Sequence, residues 1–215
     1  MNNNSEVKVF LVEDHPVMRL GLKMMLTEKG FAVCGEAGNL DEALRLLPEN
    51  AADVAVFDLS LNGDTAFSVL EQIRLWLPKI GLIIYSMHDA PLFVDNAMSL
   101  GVNAYVTKAD PVETIVDAIN SVMAGRKFMG PSITRTLEER VVDSSGHGPA
   151  IKDLSTREIE VLSDLGQGLS RSEIAAKRGV GVRTVETYIQ RLKQKLGVEQ
   201  NRELIREAIR VTHSG

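Results

Sequence analysis

The chain has 215 residues, 44 % hydrophobic and 25 % charged, which are globular proportions with length for one large or two small domains. Its net charge of −5 conceals a split: residues 1–150 hold 12 Lys/Arg and 20 Asp/Glu, net −8, and residues 151–215 hold 12 and 9, net +3. An acidic front and a mildly basic back point to two domains with different partners; the single cysteine excludes an internal disulfide, and no apolar run is long enough to span a membrane.

The start, MNNNSEVKVF, lacks a basic stretch followed by an apolar one, so no secretory signal is expected. A lone Cys34 suits a reducing compartment, and a cytoplasmic location is expected. In FAVCGEA it reads as a small apolar residue of a strand.

From the start to about residue 124, apolar runs alternate with helical patterns. The runs are VKVFLV (7–12), FAVCGEA (31–37), DVAVF (53–57), GLIIYS (81–86) and NAYVT (103–107). Three of them are nearly continuous in apolar residues, as in strands covered on both faces. His15–Lys29, Asp41–Leu47, Thr65–Leu77, Pro91–Leu100 and Val112–Met123 carry helical spacing. The order predicts an α/β fold of (βα)5 type, with a parallel sheet between helical layers.

Polar residues stand at the ends of these strands. Glu13 and Asp14 follow the first, Asp58 the third, Ser86 ends the fourth, and Lys108 follows the fifth. In open α/β sheets ligands bind outside the carboxyl ends of the strands, so three carboxylates, a hydroxyl and an ammonium should share one cleft. Crowded carboxylates call for a cation, and an all-oxygen set fits Mg²⁺ better than zinc. Such a site could bind a phosphoryl group, with Asp58 as nucleophile and Ser86 and Lys108 on the remaining oxygens.

VEDHP, VFDLS, YSMHD and AYVTKAD resemble the receiver domain of bacterial two-component response regulators. The resemblance implies a flavodoxin-like receiver over residues 1–128, phosphorylated on Asp58 by a sensor histidine kinase. It implies a Mg²⁺ site from Glu13, Asp14, Asp58 and the Ser60 carbonyl. It implies that Ser86 and Lys108 contact the phosphoryl group, and that Tyr105 swings inward when Ser86 moves. Beyond self-phosphorylation and its reversal, no enzymatic activity is expected. Asn62 replaces a frequent proline and is expected to loosen the loop after Asp58; Ala104 replaces a frequent glycine. His88 occupies a position that tunes hydrolysis in the family, though it reads as a plain surface histidine.

GRKFMGPSITRTLEERVV leads away, with a short helix near 131–142. Residues 129–152 form the expected linker, flexible in its Gly/Ser/Pro-rich stretch DSSGHGPAIK. From Leu154 the pattern is purely helical. Ser155 with Glu158, and Ser170 with Glu173, have capping-box spacing, and a last helix is expected near 200–212.

Between them, VRTVETYIQRLKQKLG places Val185, Ile189, Leu192 and Leu196 on one stripe. Arg183, Thr187, Gln190, Arg191 and Gln194 lie opposite, side chains able to address bases in a DNA groove. SEIAAKR, a Gly-Val break and TVETYIQRLKQKLG have helix-turn-helix spacing. The run LSTREIEVL to QKLG resembles the four-helix DNA-binding domain of the LuxR/NarL/FixJ family, here residues 153–215. The resemblance implies contact with double-stranded DNA through Arg183, Thr184, Glu186, Thr187, Gln190, Arg191 and Lys193. Departures from the family pattern are Arg178 for leucine, Gly181 for a capping serine, Glu186 for lysine, Tyr188 for histidine, and Gln200-Asn201 for a Ser/Asn-Arg pair.

Glu186 admits three readings: an acceptor for cytosine N4, a rim partner of Gln190 or Lys193, or a charge that repels DNA. A changed sequence preference is expected rather than lost binding. The whole reads as a phosphorylation-controlled transcription regulator that forms a homodimer on phosphorylation, through the last helix around Leu204–Ile209. The alternative is a receiver-driven protein-interaction switch or phosphate sink with weakened or lost DNA binding.

Overall fold

The structure, a computed structural model, describes residues 6–143 and 154–212. Strand and helix alternate through β1 (Lys8–Val12), α1 (Pro16–Glu28), β2 (Ala32–Ala37), α2 (Leu40–Leu46) and β3 (Val54–Phe57). A hairpin follows, β4 (Ser60–Leu61) and β5 (Asp64–Thr65), then α3 (Phe67–Trp76), β6 (Gly81–Ser86), α4 (Pro91–Ser99), β7 (Ala104–Thr107), α5 (Thr114–Met123), β8 (Phe128–Met129) and α6 (Pro131–Asp143). Four helices close the chain: α7 (Thr156–Gly166), α8 (Arg171–Arg178), α9 (Val182–Leu196) and α10 (Asn201–Thr212). Two compact units result: residues up to Met87 with Ala97–Arg135, and His88–Asn96 with Thr136 onward.

The main sheet is parallel throughout, in the order β2-β1-β3-β6-β7-β8. Its first five strands have the flavodoxin-like order. The near-continuous apolar strands are buried on both faces, as expected. Val9, Leu11, Val56, Ile83 and Val106 join Leu22 and Leu26 of α1 and Ile115 and Ile119 of α5 in one core. The pleat sends Phe10, Ala55, Phe57, Leu82 and Ile84 to the other face, where they are also buried.

Two features differ from the sequence expectation. The segment GRKFMG does not leave the sheet at once: Phe128 and Met129 pair with Ala104 and Tyr105 as a sixth strand. Two residues are too short to show a period, and the register is set by Phe128 N–Asn103 O (3.1 Å) and Gly130 N–Tyr105 O (2.8 Å). The second is the loop of Asn62, which folds as a hairpin. Asn62 (φ +52°) and Gly63 (φ +81°) form the two-residue turn of the β4–β5 hairpin, a backbone that proline could not adopt.

In the helical region Ser155 and Ser170 form the expected capping boxes with Glu158 and Glu173. Gly179, at φ +63°, closes α8, and Gly181 opens α9 with no side-chain cap. Val185, Ile189, Leu192 and Leu196 are all buried, each worth roughly 1.5–3 kcal/mol on full burial. Arg178, where the family has leucine, has a partner: its Nε and Nη2 donate to buried Asp164 at 2.7 and 2.8 Å, and Lys177 Nζ reaches Asp164 at 2.8 Å. The short helix expected near 131–142 is α6, whereas the flexible stretch at 143–152 lies, but for Asp143, outside the described residues.

Candidate functional site

Three parallel strands deliver the acidic cluster. β1 runs directly into Glu13 and Asp14, β3 into Asp58, and β7 into Lys108. Backbone bonds from Glu13 N to Ala37 O (3.1 Å), Asp58 N to Val12 O (2.8 Å) and Lys108 N to Ser86 O (2.8 Å) carry the pairing past the strand ends. The side chains therefore start from a rigid edge.

Glu13 and Asp58 are 2 % and 5 % exposed. Lys108 Nζ sits between them, 2.7 Å from Glu13 Oε2 and 2.6 Å from Asp58 Oδ2. Burial opposes charge on this ammonium, but Asp58 and Glu13 outweigh it and hold Lys108 above its ordinary pKa. Burial pushes the Asp58 carboxyl upward, and Lys108 offsets part of that. The Ser60 amide donates to Asp58 Oδ1 at 3.1 Å.

Asp14 is held differently. Its Oδ2 accepts the Asn62 amide at 2.7 Å, while Asn62 Nδ2 donates to Gly38 O at 3.2 Å. Its Oδ1 is buried and accepts no hydrogen bond, although His15 Nδ1 lies 2.8 Å away. Glu13, Asp14, His15 and Asp58 each offer a ligand atom, all within 4.8 Å of one another. A buried carboxylate oxygen that accepts no hydrogen bond, beside two further carboxylates, fits a hard divalent cation.

Sequence reasoning missed His15 and the Asn62 amide. The first was legible as the residue beside Glu13-Asp14: its ring also lies 3.0 Å from Glu13 Oε1, and that hydrogen bond, then the Asp14 charge, raises its pKa. The second was legible in the Asn-Gly pair, the strongest short hairpin signal.

Ser86 ends β6 and Tyr105 lies within β7. Ser86 is fully buried and in register with Thr107, beside Lys108. Tyr105 is fully buried in β7. His88 stacks on Phe93 at 4.5 Å between ring centroids, so it is not a plain surface histidine.

A second polar surface lies on α9. Arg183, Thr184, Glu186, Thr187, Gln190 and Arg191 are exposed. With Arg171 at the start of α8 and the flank of Ile189, four of them line an open hollow of about 410 Å³: Arg183, Glu186, Thr187 and Gln190. Thr187 Oγ1 donates to Arg183 O at 3.0 Å. Lys193 is set apart, its Nζ donating to Glu199 O at 2.9 Å. Among the described residues Glu186 takes no hydrogen bond and no ion pair, so the rim pairing with Lys193 or Gln190 is not formed.

Residues 9–120 match the family described as response regulator receiver domain, and residues 152–208 match the bacterial regulatory proteins of the luxR family. The chain is 31 % identical over 204 residues to the transcriptional activator protein ExaE of Pseudomonas putida, covering 94 % of this chain and 95 % of that one. It is 32 % identical over 206 residues to the probable transcriptional regulatory protein NarL of Mycobacterium tuberculosis, covering 95 % and 94 %. A solved structure of the Salmonella typhimurium RcsB response regulator, described for its conformational dynamism in DNA interaction, is similar at 27 % identity, 96 % and 100 % coverage and a TM-score of 0.61.

Proposed function

The chain belongs to the two-component response regulators that join a receiver domain to a LuxR-type DNA-binding domain, and from that premise we propose that Asp58 is its phosphoacceptor and the exposed face of α9 its DNA reader. It is a transcription regulator, not an enzyme acting on an external substrate. We take the receiver as residues 1–128, the linker as 129–152 and the DNA-binding domain as 153–215.

The observation that carries the reading is the position of Asp58: buried, at a strand end, with one oxygen on Lys108 and the other on the Ser60 amide. A phosphohistidine of a sensor histidine kinase is the donor. An Asp58 oxygen attacks phosphorus, the P–N bond breaks, and its electron pair returns to the histidine nitrogen. Glu13, Asp14, Asp58 and the Ser60 carbonyl would hold Mg²⁺, which when bound neutralises charge between the carboxylates and the phosphoryl oxygens. Lys108 moves from the Asp58 carboxylate to the phosphoryl oxygens. Ser86 supplies a hydroxyl to them, and Tyr105, already buried in this structure, holds the inward position that goes with that movement.

The phosphorylated chain pairs with a second copy through α10, where Ile205 and Ile209 are exposed apolar residues, and the pair reads two half-sites. Arg183, Thr184, Thr187, Gln190 and Arg191 address DNA from α9, Lys193 supports its rim, and Glu186 selects among bases. The protein acts in the cytoplasm; no helix among the described residues is long and apolar enough to cross a membrane.

The unpaired Glu186 carboxylate also favours a second reading, a protein-interaction switch or phosphate sink whose helix-turn-helix no longer binds DNA. One experiment separates them: selection from a pool of genomic fragments, with and without beryllofluoride and Mg²⁺. Enrichment of one motif under beryllofluoride is the expected result. No enrichment in either state leaves the second reading.

A further inference from the structure

Asp110 lies two residues past Lys108 and is 7 % exposed. Its two oxygens serve two different segments. Oδ2 accepts the Thr107 amide at 3.2 Å and the Thr107 hydroxyl at 3.0 Å. Oδ1 accepts the Ser132 amide at 3.0 Å and the Ser132 hydroxyl at 2.7 Å.

Ser132 is the second residue of α6. The first amides of a helix have no acceptor inside it, and a carboxylate there satisfies one of them and suits the positive end of the helix. Asp110 therefore caps α6 from 22 residues away in the chain.

The fit is close. A Cβ at Gly130 would stand 2.4 Å from Asp110 Oδ2 and 3.3 Å from Val106 Cα, so only glycine lets this chain segment lie against the carboxylate. Gly130 N also donates to Tyr105 O at 2.8 Å. The start of α6 is thus fastened both to β7 and to the loop that follows it.

We propose that Asp110 is a positioning residue that couples the Lys108 loop to the first turn of α6, so that a change of partner at Lys108 is felt by the helix that leaves the sheet. This rests on the reading of Asp58 and Lys108 given above. Lys108 now holds two carboxylates, and a phosphoryl group on Asp58 would move one of its partners outward. Little slack separates Lys108 from Asp110: Lys108 N is tied to Ser86 O, and Asp110 N to Thr107 O at 3.1 Å. The bonds onward to Ser132 are part-buried and charge-assisted, so they are costly to leave unmade. Movement of the loop is passed to α6 or breaks these bonds.

The test uses the full chain and the variants Ser132→Ala and Asp110→Asn. Beryllofluoride with Mg²⁺ is titrated by fluorine NMR, and DNA affinity is measured with and without it on a motif selected for the unaltered chain. Beryllofluoride affinity is expected to stay within about twofold of the unaltered chain. The gain in DNA affinity, roughly 5- to 150-fold for ordinary coupling between sites, is expected to fall to about one. Variants that keep the full gain overturn the proposal.

Trp76 emission checks that each variant is folded. A second measurement needs no variant: the Ser132 amide signal should shift when beryllofluoride binds, and a stationary signal overturns the proposal as well. If the unaltered chain binds beryllofluoride but shows no gain, the functional reading fails and the coupling fails with it; loss confined to the variants isolates Asp110.

Discussion

At the acidic cluster, side chains from three strand ends meet in a buried place and Lys108 is shared between two of the carboxylates. On α9 the polar side chains come from one helix, are exposed and, at Glu186, have no partner among the described residues. The first arrangement is held by the fold, as the storage of a phosphoryl group proposed for it requires. The second is left open, as the groove reading proposed for it requires, with donors and acceptors offered to a partner. Burial with pairing and exposure without pairing are thus two signs of function, and they fail in different ways when altered.

The largest effect should come from the cluster. Asp58→Asn removes the nucleophile, and neither phosphodonor nor beryllofluoride should then change DNA binding. Labelling with radioactive phosphodonor measures the first and affinity on a selected motif the second. Label retained at full level would show that another residue accepts the phosphoryl group.

A buried ion pair inside the helical unit gives the next effect. Asp164 is fully buried and holds Lys177 and Arg178. Asp164→Ala removes the carboxylate that Lys177 and Arg178 share, leaving Glu160 3.8 Å from Arg178 Nη1, and loss of one partner of a buried pair costs about 3–5 kcal/mol. Hydrogen-exchange protection of α7 and α8 should fall accordingly, while Trp76 emission, in the sheet unit, stays unchanged. Replacing both Asp164 and Arg178 by leucine should recover much of the loss.

Comparing the two regions also shows what could be read from letters. The strand alternation and the polar residue at each strand end were legible, because periods and strand ends are local in sequence. Arg178 looked like a departure, since its partner Asp164 lies 14 residues earlier on another helix. The Asp110–Ser132 bond left no trace, because no periodicity links a loop carboxylate to a helix start 22 residues later. Asn62-Gly63 was legible as a hairpin but lay between a strand and a helix whose stronger patterns drew the boundaries. The role of Glu186 depends on what faces it, and the structure decides only that its pairing with Lys193 or Gln190 is not formed among the described residues.

Glu186 sharpens the comparison at its open end. Carboxylate oxygens only accept, phosphates offer no donor, and among major-groove edges cytosine N4 and adenine N6 do. Glu186→Lys should exchange the preferred base and alter discrimination at one position by about 1–3 kcal/mol, roughly fivefold to 150-fold. Parallel selections with the two proteins measure it; identical motifs would place Glu186 outside the base contacts. Arg183→Ala should instead weaken all sequences alike and reduce the slope of log affinity against log salt by about 0.9 if it contacts one phosphate.

The smallest effect is in pH. Glu158 is buried, which alone would raise its pKa, but hydrogen bonds from Lys195 and Ser155 hold it below the ordinary carboxylate value. Its folded pKa is depressed, so its contribution to stability is complete above the unfolded value, about 4.3, and is lost as pH falls through the folded one. Exchange protection of α7, corrected for the intrinsic rates, should decline from just above pH 4 downward, and Glu158→Gln should flatten that decline at the cost of lower protection at neutral pH. A decline of the same steepness in the variant would show that the acid sensitivity of α7 does not come from Glu158.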